Sequence, residues 1–108
     1  MDAVTAQAAV AEAVKRLAAE FSPVAIYHFG SSVPGASAEP NDIDLLVVVE
    51  RSGEGLLDRS ARALSLMFGL GVPVDVQVYT RAEFEEWAQR PHSLERLVSE
   101  RGRVVYAA

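Results

Sequence analysis

Cysteine is absent from the 108 residues, which excludes disulfides and thiolate metal sites. No run of about 18 uninterrupted apolar residues occurs, so no segment reads as membrane-spanning. The N-terminus, MDAVTAQAAVAEAVKRL, lacks a basic start followed by a dense apolar run and does not read as a signal peptide. Basic residues are few and scattered: ten Lys plus Arg stand against fifteen Asp plus Glu, a net charge of −5. A chain that grips nucleic acid by its phosphates carries a basic face. None is visible, so stand-alone DNA or RNA binding is not expected. No internal repeat, linker or low-complexity tract interrupts the sequence. These absences leave a soluble cytoplasmic protein as the expectation.

What is present is ordinary globular material, half of it apolar and 23% charged. A folded chain of 11.6 kDa exposes about 5,800 Å² of roughly 16,800 Å² unfolded. That suffices for one modest core in a single domain, residues 1–108. It leaves no room for a large enclosed pocket, so a bulky substrate needs a partner or a shallow cleft.

Periodicity organises the chain. Val10, Val14, Leu17 and Phe21 recur at helical spacing and predict a helix over 3–20, ended by Ser22-Pro23. Residues 24–29 form a short strand, and 30–41 a Gly/Pro/Ser/Asn loop with one helical turn. Residues 42–50 form the strongest strand. Ile43, Leu45, Val47 and Val49 line one face and Leu46 and Val48 the other, which marks a central strand covered on both sides. A second helix over 56–68 carries Leu57, Ala61, Leu64 and Phe68 as its expected buried stripe, with Gly69 and Gly71 as its stop. Residues 74–79 alternate, Val74, Val76 and Val78 inward and Asp75, Gln77 and Tyr79 on an open face. Thr80 and Glu83 have capping-box spacing for a third helix. A short helix over 93–100 and a strand over 104–106 close an α/β (α+β) domain, a mixed sheet with helices mainly on one face.

One constellation carries chemistry. A strand ends in Phe29-Gly30-Ser31-Ser32, and ten residues separate Ser31 from Asp42-Ile43-Asp44 at the head of the next strand. Glycine admits close approach of an anion, and free N–H groups at a turn cradle phosphate. Two carboxylates at i and i+2 of a strand are costly without a hard divalent cation between them. Asp75 on a neighbouring strand offers a third carboxylate to bridge or act as a base. Cradle and carboxylates together meet the needs of metal-assisted phosphoryl transfer.

Gly30-Ser31, the ten-residue gap, Asp42-x-Asp44 and distal Asp75 resemble the signature of the DNA polymerase beta-like nucleotidyltransferase superfamily, and the length resembles its minimal nucleotidyltransferases. The resemblance implies that Asp42, Asp44 and Asp75 hold two Mg²⁺ ions, with Asp75 helping to deprotonate the acceptor hydroxyl. It implies that Gly30 and Ser31, with Ser32 beside them, hold the phosphates of ATP or another nucleoside triphosphate. Minimal members pair with a helical HEPN-class protein and act as antitoxins of a toxin–antitoxin system by AMPylation of a partner tyrosine. A non-catalytic binding antitoxin on the same fold and a small-molecule nucleotidyltransferase are alternatives on the same resemblance, and a homo-oligomer through the Ala-rich first helix or the Trp87 region is an open reading of the sequence.

Departures from the signature are local. Val33-Pro34-Gly35 has proline where the family commonly has arginine, and residues 18–50 contain no Lys or Arg. Arg51, Arg59 and Arg62 then become the candidates for meeting phosphate charge. His28 and His92 read as structural, Phe84 and Trp87 as core or interface, and Glu83, Glu85 and Glu86 as a solvated helix face.

Overall fold

Alanine is what lets the first helix lie close to the sheet. The structure, a computed structural model, describes residues 1–37 and 39–108. Helix α1 (Ala3–Phe21) is capped by the Asp2 carboxylate, which accepts from the Thr5 N–H, and ends where Ser22 turns left-handed at φ 44°. Val10 and Leu17 of the expected stripe are fully buried, while Val14 and Phe21 pack at the margin. Ala6, Ala9 and Ala13 supply the rest of the buried face.

Four strands follow in a mixed sheet of order β3-β2-β1-β4. Strand β1 (Ala25–Phe29) runs antiparallel to β2 (Ile43–Val49) and to β4 (Arg103–Ala107), and β2 runs parallel to β3 (Val74–Thr80). The expected helical turn between β1 and β2 is instead a succession of tight turns through residues 31–36. As its sequence demands, β2 is buried on both faces. Ile43, Leu45, Val47 and Val49 meet α1, Val76 and Val78, whereas Leu46 and Val48 meet Tyr79, Phe84 and Val98.

Helix α2 (Leu56–Ser65) shares the first face with α1, but not by its largest residues. The expected stripe is turned outward: Leu57 is 85% exposed, Leu64 50% and Phe68 90%. Arg59, Ala63 and Met67 are buried instead. The reason is polar. Arg59 is 1% exposed and donates two hydrogen bonds to Glu83, at 2.9 and 2.8 Å. Ser60 accepts from the Val78 N–H. Helical winding also stops at Ser65, three residues earlier than expected, and gives way to turns.

The larger pair of helices therefore covers one face, while α3 (Arg81–Ala88) and α4 (Leu94–Arg101) cover part of the other. Thr80 and Glu83 form the expected capping box. Phe84 stacks on Tyr27 at 5.5 Å and meets Tyr79 edge-on at 6.2 Å, so β3 is closed at Tyr79 and open only towards Asp75. Glu83 is consequently an internal tie, and only Glu85 and Glu86 form the solvated face. No described helix is long and apolar enough to cross a membrane.

Candidate active site

Register decides which residues meet. Phe29 of β1 lies opposite Asp44 of β2, and Asp44 lies beside Asp75 of β3. Adjacent strands stand about 4.8 Å apart, so two carboxylates from different strands form one row with Phe29. The next row along the sheet is Tyr27, Leu46 and Gln77. Phe84 stacks on Tyr27, so the covering helices begin there and the carboxylate row is left at the uncovered end of the sheet. Asp42 is exposed and sits one residue before β2, at the same end.

The loop leaving β1 is shaped around that row. Gly30 has φ +82°, a conformation L side chains rarely adopt, and a Cβ built there would collide with Asp44 Oδ2. Ser31 is half-buried, and its hydroxyl lies 3.5 Å from the Asn41 N–H, joining the loop to the approach to Asp42. Ser32 behaves differently from expectation. Its side chain is buried and its hydroxyl lies 2.6 Å from His28 Nε2. The Ser32 hydroxyl is thus part of the loop's support, not of its exposed surface. His28 is the structural histidine expected, and burial, reinforced by the nearby Arg103 charge, holds its imidazole below the usual range.

Electrostatics mark Asp44 as the centre. Partial burial raises its carboxyl above the ordinary carboxylate range, and the charges of Asp75 and then Asp42 raise it further. A hard dication with oxygen ligands relieves such a repulsion. The donor set fits that group, and Gly30 lets the loop close against the Asp44 carboxylate, although no three ligating side chains among the described residues already stand in a metal-binding arrangement.

The cations expected at the phosphate cradle lie elsewhere. Arg59 is held by Glu83, and Arg62 pairs with Glu54 and Glu20 over the Phe21 ring. Arg51 follows the far end of β2, roughly 20 Å from Asp44 by strand rise. Two further cations that the sequence reading did not single out, Arg101 and Arg103, flank Gly102 near the end of β1; Arg103 pairs with His28, on the sheet face away from Asp44, and Arg101 lines the groove along α4. Among the described residues neither takes part in an ion pair. Only the β4 register reveals them. An open groove of about 790 Å³ along α4, from Pro91 to Arg101, does not include the carboxylate row. His92 lines it as an exposed residue at φ 63°, and Trp87 is half-exposed beneath the Arg90 guanidinium at 3.7 Å.

The arrangement has counterparts. The family model described as "Nucleotidyltransferase domain" matches residues 10–104, from the buried face of α1 into β4. The chain belongs to the nucleotidyltransferase domain family. No curated protein matches it. A crystal structure from Sulfolobus solfataricus, assigned as a nucleotidyltransferase, is similar in fold with a TM-score of 0.60 and 23% identity. The likeness spans 98% of this chain and 96% of that one. Within a nucleotidyltransferase domain, the uncovered end of the sheet that carries Gly30, Asp44 and Asp75 is the candidate active site, and transferase chemistry is its activity.

Proposed function

We propose that this nucleotidyltransferase domain transfers AMP from ATP to a hydroxyl of a partner protein, as the antitoxin of a pair with a helical HEPN-class toxin. The observation that carries the chemical part is the Asp44–Asp75 register beside Gly30. In this reading Gly30 and Ser31 receive the donor phosphates by close backbone approach. Asp42, Asp44 and Asp75 would hold two Mg²⁺ ions, whose charge would supply phosphate neutralisation. Asp75, the most open of the strand carboxylates, takes the proton of the acceptor hydroxyl. The acceptor oxygen bonds to the α-phosphorus as the α–β phosphoanhydride bond breaks, and pyrophosphate leaves.

Openness supports a macromolecular acceptor. Asp42 and Asp75 are exposed at the end of the sheet, so a side chain on another protein reaches them directly. Pro34 and the lack of Lys or Arg over 18–50 favour one rival, a binding antitoxin on the same fold with no transfer.

Intact-mass spectrometry decides between them. The chain is incubated with the product of the neighbouring gene, Mg²⁺ and each nucleoside triphosphate in turn. An AMP increment on the partner, abolished by Asp42→Asn with Asp44→Asn, is the expected result. A tight complex with no adduct on either chain overturns the transfer and leaves the binding antitoxin.

A further inference from the structure

The outward face of α2 has the pattern of a helix seam. Leu57, Ala61, Leu64 and Phe68 follow one another at steps of four, three and four, the strict spacing of a coiled-coil stripe. Beyond the helix end at Ser65, bonds from the Leu66 and Met67 N–H groups to Ala63 and Leu64 form tight turns that carry the chain to Met67, and Phe68 follows directly. At about 100° per residue the stripe stands roughly 120° from the centre of the buried face set by Arg59, Ser60, Ala63 and Met67. No described residue covers it, for Leu57 and Phe68 are among the most exposed large apolar residues described. A contiguous stripe of this kind marks an interaction surface.

We propose that the stripe joins two copies of this chain, their α2 helices antiparallel about a two-fold axis. The order of residues is what selects a second copy. In the antiparallel register Leu57 meets Phe68 of the other copy, Ala61 meets Leu64, and the axis repeats both layers. The small residue therefore faces a large one in each inner layer, which lets the helices approach without a void. Charge is compatible with self-association despite −5 on each copy. Arg62 is neutralised by Glu54 and Glu20 within its own chain and Arg59 by Glu83, which leaves Asp58 as the one charge of α2 without an ion pair among the described residues. Covering the stripe on both copies removes on the order of 1,000 Å² from water, the lower end of specific interfaces and suited to a concentration-dependent dimer. The stripe lies on the α1–α2 side of the sheet and the Asp44 row on the α3–α4 side, so both catalytic rows stay open in the pair.

Light scattering on the eluting protein, from about 1 to about 200 µM, reads the assembly. The expected mass is a dimer at the upper end, shifted to monomer in Leu57→Glu and in Phe68→Glu, with a dissociation constant at least about 100-fold weaker. Trp87→Ser, which removes an exposed aromatic on the other side of the sheet, leaves the dimer intact. Circular dichroism confirms that each variant is folded. The cysteine-free background adds a test of register. An Ala61→Cys chain mixed with a Leu64→Cys chain cross-links on oxidation more readily than either alone. A wild-type chain that stays monomeric throughout, a dimer indifferent to Leu57→Glu and Phe68→Glu, or a stripe that captures only a different helical protein overturns the proposal. None of these results depends on transferase activity.

Discussion

The Asp44 carboxylate occupies the space that a Cβ on Gly30 would need. Cradle and carboxylate are therefore one construction: the loop passes close to the strand because one residue has no side chain, and the other fills the gap. Gly30→Ala introduces both left-handed strain and a collision, for a cost of about 2–4 kcal/mol. Gly35 has a similar φ of +85° but open space around it, so Gly35→Ala costs only about 1 kcal/mol. Urea unfolding of the two variants checks the difference, and equal losses would show that the contact with Asp44 contributes nothing.

Asp44→Asn separates stability from activity. The folded chain holds the Asp44 proton more tightly than the unfolded chain does. The ionised carboxylate therefore costs stability at neutral pH, and the cost disappears as pH falls below the unfolded value near 3.8. The variant is expected to be more stable at pH 7, by up to about 1 kcal/mol after solvent screening, or roughly 2–6 °C. It should match the wild type below pH 4, while transfer falls about 100-fold or more. Thermal unfolding across pH tests the sign. A wild type more stable at pH 7 than Asp44→Asn would mean that the repulsion is already relieved.

Arg59 and Glu83 tie α2 to α3 from opposite sides of the β3 edge. Arg59→Ala leaves Glu83 without its partner and opens a cavity, at about 2–4 kcal/mol. A double-mutant cycle with Glu83→Gln should give a coupling above about 1 kcal/mol. The pair sits beyond Thr80, at the other end of β3 from Asp75, so the rate per folded molecule should not change. A rate loss without a stability loss would contradict this assignment.

The contrast between α2 and β2 shows where sequence was sufficient. β2 was legible because every inward residue on both faces is apolar, so alternation and burial coincide. The Gly30, Asp42 and Asp44 spacing was legible because the loop chemistry has few substitutes. α2 was misread because its inward face contains Arg59 and Ser60, whose partners lie 24 and 18 residues away. An apolar moment cannot register a polar group satisfied across that distance. The cover over Tyr79 was hidden for the same reason, since it depends on Glu95, 16 residues away. The inward turn of Ser32 is a local contact with His28, four residues back, which the residue types alone do not distinguish from an exposed hydroxyl.

His28 and Arg103, 75 positions apart in sequence, share one rung of the β1–β4 ladder. The outer edge of β1 thus waits for the last strand to be synthesised. On a ribosome the loop after β1 emerges early, yet the wall beside it closes only after more than seventy further residues have been added. Long-range closure of this kind slows folding, and it makes the support of the loop after β1 a property of the assembled sheet. A translation product truncated before β4 would display the Gly30 and Asp44 segments without the strand that borders β1.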